Sequence, residues 1–153
     1  MPATNHNPAS IDAQATSIEV RIRYCECDPM GVAHHASYAP WLEMARTEAL
    51  RVSGKTYAQM EASGVFLVVT RLELAYRRPA RYDDVLRISC AASIAGRARL
   101  RHEYRIELIE AGDAQHGRTN DQPLATATTE LACVDATGRP CPMPQWLVDV
   151  VRG

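Results

Sequence analysis

Residues 24–46 read YCECDPMGVAHHASYAPWLEMAR, and this stretch is the most informative part of the sequence for the fold. It places an acid, Asp28, in a loop with a proline and a glycine, directly before a helical pattern that runs from Tyr38 to about Val52. The apolar stripe of that helix is broad, which predicts that other structure covers most of it. The stripe comprises Trp41, Leu42, Met44, Ala45, Ala49, Leu50 and Val52.

Strand patterns flank this segment on both sides. Ser17–Tyr24 alternates cleanly, with Ile18, Val20, Ile22 and Tyr24 on the apolar face, which is the period of a half-buried strand. A short second helix is predicted over 56–63, with Gly64 as its C-terminal stop. Four further strands follow, over 65–77, 85–95, 99–110 and 124–134. The short links between the later strands predict antiparallel neighbours, so the chain is expected to be α+β, with its sheet covering one dominant helix.

The 153 residues suit one domain. We expect a disordered tail over 1–16, a folded domain over 17–144, and a terminal helix or tail over 145–153. The 17 basic and 18 acidic residues nearly cancel, which indicates no nucleic-acid or membrane surface. No apolar run approaches a membrane span, and the polar N-terminus does not resemble a signal peptide, so a cytoplasmic protein is expected.

The five cysteines are scattered, without a C-x-x-C pair, and favour reduced thiols over zinc ligands. They are Cys25, Cys27, Cys90, Cys133 and Cys141. No metal and no redox cofactor are expected.

The loop and the helix start together favour acyl-transfer chemistry. A helix N-terminus presents unpaired backbone N–H groups and the positive end of the helix dipole. A carboxylate facing it across a gap can attack, or activate water to attack, while the amides hold a developing oxyanion. Gly31 permits a tight turn or the close approach of a ligand.

The spacing D-x-x-G-x-x-x-H-x-x-Y from Asp28 to Tyr38, followed by W-x-E-x-A-R, resembles the 4-hydroxybenzoyl-CoA thioesterase family, which includes the acyl-CoA thioesterases associated with the Tol–Pal system. The likeness continues in the segments 76–84, 124–128 and 134–140 and spans roughly 19–144.

This resemblance implies a hot-dog fold, an antiparallel five-stranded sheet wrapped around one long central helix, assembled into homodimers or homotetramers. It implies an acyl-CoA substrate, with Asp28 as nucleophile or general base and the amide of His35 as oxyanion donor. The side chain of His35 matches a histidine common in the acyl-CoA branch. The other candidate substrate-binding residues are Gly31, Val32, His34, Tyr38 and Glu43. His34 and Cys27 depart from the residues frequent at their positions, which leaves the substrate open.

Glu43 is a competing catalytic acid. In a second group of hot-dog proteins, similar to the phenylacetyl-CoA thioesterases, the acid lies on the helix nine residues after the histidine of a G-x-A-H motif, and Gly31 to His34 followed by Glu43 has that spacing. The Gly-Gly that follows in that group is absent here. Glu43 also stands three residues before Arg46, where a helix-surface ion pair is expected, and we favour this structural role.

Two other functions stay open on the same fold: a noncatalytic acyl-CoA binding or sensing protein, and an acyl-thioester hydratase or dehydratase. Acyl chain length, and coenzyme A against acyl carrier protein, are not distinguished. Several arginines near strand ends are candidates to meet the coenzyme A phosphates. They are Arg77, Arg78, Arg81, Arg97 and Arg99.

Overall fold

The computed structural model describes residues 15–112 and 118–153. Most of the predicted tail over 1–16 therefore lies outside the described residues, and Thr16 already belongs to the first strand. The strands are β1 Thr16–Arg21, β2 Val65–Tyr76, β3 Val85–Gly96, β4 Arg99–Glu110 and β5 Gln122–Asp135. The helices are α1 His35–Val52, α2 Tyr57–Ala62 and α3 Gln145–Arg152, and a 3₁₀ turn spans Tyr24–Glu26.

The five strands form one antiparallel sheet in the order β1-β3-β4-β5-β2. One face of this sheet packs against α1, so Trp41, Leu42 and Ala45 of the helix are at most 1 % exposed. They meet buried strand residues such as Leu86 and Ile106. Because full burial of one large apolar side chain is worth about 1.5–3 kcal/mol, this layer holds the helix to the sheet. The α+β prediction is confirmed.

A second apolar cluster lies around the C-terminal end of α1. Leu50 packs there with Met60 of α2, Leu100 of β4 and Leu147 of α3. The terminal helix predicted as one of two possibilities is therefore present, and it closes this end of the domain.

The first strand ends earlier than its alternation predicted. After Arg21 the chain turns, and the 3₁₀ turn swings Tyr24 into solvent, where it is 82 % exposed. The cause is local, because the carboxylate of Glu26 accepts hydrogen bonds from the backbone N–H and the guanidinium of Arg23, both at 2.8 Å. Ile18, Val20 and Ile22 do lie on the inward face, so the error is confined to the end of the strand.

The long helix starts three residues before the predicted Tyr38. His34 is its N-cap, in extended backbone conformation, and its Nδ1 accepts the N–H of Ala36 at 3.1 Å. The start was predicted from the apolar pattern of the helix, and the polar residues at its N-terminus do not belong to that pattern. The stripe was also drawn too wide, since Met44 and Val52 are 52 % and 69 % exposed.

Candidate active site

Residues 27–33 form a compact loop between the 3₁₀ turn and α1. Cys27 and Ala33 pair as an antiparallel bridge, and the N–H of Asp28 donates to the carbonyl of Val32 at 2.9 Å. The N–H of Gly31 donates back to the carbonyl of Asp28 at 2.9 Å, which closes a four-residue turn. Gly31 has φ +74°, a conformation that side chains disfavour, so the glycine is required by the turn itself.

The carboxylate of Asp28 sits half-buried on this turn. Its Oδ1 accepts the backbone N–H of Met30 at 2.8 Å. Throughout the described ranges this is the one hydrogen bond that the carboxylate makes, so Oδ2 is available to a substrate or a water molecule. The turn therefore fixes the position of the acid without using up its acceptor capacity.

The start of α1 offers a free backbone donor immediately after the loop. The N–H of Ala36 is taken by the imidazole of His34, and the N–H of Ser37 donates to the carbonyl of His34 at 2.9 Å. The N–H of His35, by contrast, meets no acceptor among the residues that the structure describes. It lies at the positive end of an 18-residue helix, where partial positive charge favours a developing oxyanion.

Glu26 anchors the loop from the inside, a role that sequence analysis missed. Its carboxylate also accepts the indole N–H of Trp41 at 3.0 Å, and its carbonyl accepts both the N–H of His34 and the hydroxyl of Ser37, at 2.8 and 2.9 Å. Burial opposes ionisation of this group, but the hydrogen bonds from Arg23 and Trp41 outweigh it and lower the pKa of Glu26. Glu26 thus ties the loop entrance to the start of α1.

The turn over 80–84 holds the other side of the loop. The N–H of Ala33 donates to the carbonyl of Ala80 at 2.8 Å, and Val32 pairs with Arg81. The conformation of this turn is fixed by Asp84. Its side chain is fully buried, and its carboxylate accepts the backbone N–H of Arg81 at 2.7 Å.

The buried charge of Asp84 is balanced by Arg118. The two side chains form a two-point ion pair, with nitrogen–oxygen distances of 2.8 and 2.6 Å, and Arg118 also donates to the carbonyl of Pro79 at 3.2 Å. Paired forks of this kind are among the stronger hydrogen-bonded contacts in proteins. Arg118 lies in the polar connection before β5, a segment for which the sequence offered no role.

Most of the predicted site residues come together in this region. Asp28, Gly31 and Val32 share the loop, and His34 and His35 follow at the helix start with ring centroids 4.0 Å apart. The imidazole of His35 is exposed, whereas that of His34 is half-buried as the N-cap.

Two predicted residues stand apart from the loop. Tyr38 is only 2 % exposed and packs against Trp41, with ring centroids 4.9 Å apart, so it supports the site from the core. Burial raises the pKa of Tyr38 to about 12, which keeps its phenol neutral. Glu43 lies about 12 Å along the helix axis from His35, is 66 % exposed, and pairs with Arg46 at 2.9 Å as expected.

A groove of about 310 Å³ runs between α1 and β2. It is mostly apolar, and its polar lining residues are Glu43, Arg46 and Thr129. Its other lining residues are Ala39, Pro40, Leu42, Val69 and Leu72.

Across 15–112 and 118–153 the structure shows no group of three or more metal-binding side chains. All five cysteines are free thiols. None of the described helices is both long enough and apolar enough to cross a membrane.

A five-stranded antiparallel sheet packed on one long helix, with an acid-bearing loop at the helix start, is the hot-dog architecture. Residues 20–151 match the thioesterase-like superfamily, and the chain belongs to that superfamily. The predicted relationship to hot-dog thioesterases is therefore confirmed.

The chain is also similar to individual proteins that are named as thioesterases. The chain is 32 % identical over 120 residues to the acyl-CoA thioesterase YbgC of Haemophilus influenzae, which covers 78 % of this chain and 80 % of the relative. It is 42 % identical over 69 residues to the acyl-CoA thioester hydrolase YbgC of Escherichia coli O6:H1, covering 45 % and 52 %. A probable thioesterase from Bartonella henselae superposes with a TM-score of 0.71 at 30 % identity, covering 85 % of this chain and 99 % of that one. In several of the curated matches, the E. coli protein among them, the chain spans only about half of the relative's length.

Proposed function

We propose that the chain hydrolyses an acyl-coenzyme A thioester to free coenzyme A and a carboxylic acid. The observation that carries the proposal is the pairing of two features on one short segment: the available carboxylate oxygen of Asp28 and the unbonded N–H of His35 at the start of α1. Membership of the thioesterase-like superfamily supports the same reaction class. The names of the Haemophilus influenzae and E. coli relatives support coenzyme A as the carrier.

The chemistry requires few groups. Asp28 attacks the thioester carbonyl carbon, or takes a proton from a water molecule that attacks it, and the carbonyl oxygen gains negative charge beside the N–H of His35. Collapse of the intermediate breaks the carbon–sulfur bond and releases the thiolate, a good leaving group. In the direct route, water then hydrolyses the acyl-aspartate. Both routes use the same carboxylate and the same amide.

The groove between α1 and β2 is the space proposed for the acyl group, because it is largely apolar and borders the helix that starts at the loop. Glu43 lies on its wall and is proposed to contact the substrate, as are Gly31, Val32 and His34 near the carbonyl. Aliphatic and aromatic acyl groups both fit this description.

The positions of the strands reduce the number of arginines that we propose to contact the coenzyme A phosphates. Arg81 pairs with Val32 next to the loop. Arg97 and Arg99 flank the β3–β4 turn, which the 12 residues of β3 separate from the 80–84 turn by roughly 40 Å of extended chain. Arg81, with Arg77 and Arg78 on the same connection, is therefore the better candidate.

The working unit is proposed to be a homodimer or homotetramer that pairs through β2. Of the described strands, β2 bonds only to β5, so its other edge presents unpaired backbone groups. Val68, Val69 and Leu72 on this strand are 42–49 % exposed, an apolar surface that a second copy would cover. A cytoplasmic location stays a prediction.

We expect Leu72→Lys to convert the assembly to a monomer, because the charge would be buried without a partner at the proposed interface. Molar mass by light scattering on a sizing column measures this directly. Val52→Lys is the matched control, since Val52 is more exposed, at 69 %, and lies away from β2. A wild-type protein that is already monomeric, or a Leu72→Lys variant with wild-type mass, contradicts the proposed pairing.

We expect His35→Pro to lower the rate of thiol release from acyl-CoA by about 10²–10³-fold, the usual cost of losing one oxyanion donor. Proline is well tolerated at the first position of a helix, and His34 already has φ −62° and ψ 141°, the conformation favoured before proline. The substitution therefore removes the N–H, together with the imidazole, without a change in the local backbone conformation. The assay follows thiol release from a panel of aliphatic and aromatic acyl-CoAs.

The control is His35→Ala, which removes the imidazole and keeps the backbone donor. Equal losses in both variants would assign the role to the side chain instead of the amide. If the wild-type protein binds acyl-CoA but releases no thiol from any member of the panel, the chain is a binding protein and not an enzyme. Hydration of an enoyl-CoA without thiol release would identify a hydratase.

A further inference from the structure

Two cysteine thiols are in contact near the end of β5. The Sγ atoms of Cys133 and Cys141 lie 3.6 Å apart. In the described part of the chain this is the one hydrogen-bonding contact between two cysteine side chains, and all five cysteines are free thiols. Neither residue belongs to the loop of Asp28 or to the start of α1, so the pair has no part in the proposed thioester hydrolysis.

The backbone holds the two cysteines opposite each other. β5 ends at Asp135, the chain reverses, and Val134 and Pro140 pair as an antiparallel bridge. Cys133 and Cys141 are the next opposing residues, and the N–H of Cys141 donates to the carbonyl of Cys133 at 2.9 Å. Opposing residues in antiparallel strands have Cα atoms about 4.5–5.5 Å apart, and a disulfide spans about 4.4–6.8 Å. The backbone therefore already has the spacing that a disulfide needs.

The two side chains enter the same apolar cluster at the C-terminal end of α1. Cys133 is fully buried in this cluster, and Cys141 is half-buried and packs against it. The sulfur atoms have to approach each other from 3.6 Å to a bond length of about 2.05 Å. Because the Cα spacing fits, rotation of the two side chains supplies this movement.

The two thiols differ in their access to solvent, and this difference sets the order in which they react. Cys133 has no exposed surface, whereas Cys141 keeps a partly exposed side chain. Burial and the neighbouring Cys141 raise the pKa of Cys133 to about 12, so Cys133 stays a protonated thiol. Oxidants attack accessible thiolates. Cys141 is therefore the residue that meets an oxidant first, and Cys133 is placed to react with its product.

We propose that Cys133 and Cys141 are a modification site, which a hydroperoxide converts to an intramolecular disulfide. The thiolate sulfur of Cys141 attacks one peroxide oxygen, the O–O bond breaks, and the peroxide is reduced to an alcohol while Cys141 becomes a sulfenic acid. The sulfur of Cys133 then attacks the sulfur of Cys141, and the S–O bond breaks as the S–S bond forms. Hydroxide leaves with the proton of Cys133 as water. Two thiols and one hydroperoxide thus give one disulfide, one alcohol and one water.

The disulfide would fasten the segment that leads into α3 to an interior strand of the sheet. β5 lies between β4 and β2, and Cys141 precedes the first residue of α3, Gln145. Leu147 of α3 is 2 % exposed in the cluster that contains Cys133. The bridge closes a short loop, since its two ends are eight positions apart. We expect oxidation to raise the midpoint of thermal unfolding by about 5 °C.

The test exposes the reduced full-length protein to hydrogen peroxide, unfolds it, and alkylates every thiol that remains. Peptide mass spectrometry then identifies the cysteines that escaped alkylation. We expect Cys133 and Cys141 to escape together, with the loss of two hydrogen atoms from the peptide mass, and dithiothreitol to restore both thiols. The unfolding midpoint is measured on the same samples before and after dithiothreitol.

Cys141→Ser removes the thiol that reacts first and keeps a side chain of similar size. We expect Cys133 to stay open to alkylation in this variant and the midpoint not to rise with peroxide. Cys25→Ser is the matched control, because it removes an exposed thiol outside the pair, and it is expected to behave as the wild type does.

Alkylation of both Cys133 and Cys141 in the peroxide-treated wild type would overturn the proposal without any variant. A bridge from either residue to a third cysteine, or between two chains, would overturn it as well. A bridge between Cys133 and Cys141 that leaves the midpoint unchanged would contradict the proposed fastening of α3. None of these outcomes depends on thioesterase activity.

Discussion

Asp28→Asn is expected to lower thiol release from acyl-CoA by about 10²–10⁴-fold, the range by which a positioned acid or base accelerates such reactions. Asparagine keeps the shape of the side chain and an oxygen that accepts the N–H of Met30, so the turn over 28–31 is preserved. It loses the negative charge that either route of hydrolysis requires. Initial rates with saturating substrate measure the loss, after both proteins have been shown to have the same far-ultraviolet spectrum and molar mass.

Glu43→Gln is the matched comparison, because it also replaces a carboxylate by an amide. Glu43 is largely exposed, and glutamine keeps a side-chain oxygen that accepts the guanidinium N–H of Arg46. We expect this variant to keep most of the wild-type rate. If Glu43→Gln loses activity by orders of magnitude while Asp28→Asn keeps it, the catalytic acid lies on the helix and the assignment to Asp28 is wrong.

Asp84→Asn is expected to lower the free energy of unfolding by about 3–5 kcal/mol, the usual cost of breaking a buried ion pair from one side. Asp84 is fully buried and Arg118 is 9 % exposed, so the remaining guanidinium would be left without its counter-charge. Urea unfolding at constant pH, followed by circular dichroism, measures the change. Removal of the partner charge as well, in Asp84→Asn with Arg118→Met, should cost less than the two single changes added together.

Asp83→Asn next door is the control for this measurement. Asp83 pairs with Arg21 at 3.3 Å, but both side chains are about half exposed, so the pair is screened by solvent. Its backbone has φ +66°, which asparagine tolerates as readily as aspartate. We expect a change below about 1 kcal/mol. Similar losses for the two variants would show that the buried pair with Arg118 has no special weight in stability.

The strands were predictable because their signals are local. Alternation and turn residues placed β3 and β4 to within one residue of their observed ends. The start of α1 was not predictable in this way, because its N-cap residue is a histidine. Histidine is not among the residues that are common at helix N-caps. The pair between Asp84 and Arg118 joins positions 34 apart, and only the folded sheet brings them together.

The candidate site divides in the same way. The motif residues Asp28, Gly31 and His35 are close in sequence, and the structure has them on one loop and the helix start that follows it. Its supports come from elsewhere: Glu26 was missed, and the segment 76–84 belonged to the family resemblance without any predicted contact to the loop.

Arg46 lines two separate spaces. One is the groove between α1 and β2, and the other is a cavity of about 640 Å³ bounded by α1, β3, β4 and α3. A ligand in either space that moves its guanidinium changes a wall of the other. A substitution at Arg46 therefore alters both spaces, so a change in activity that follows it does not by itself identify the space responsible.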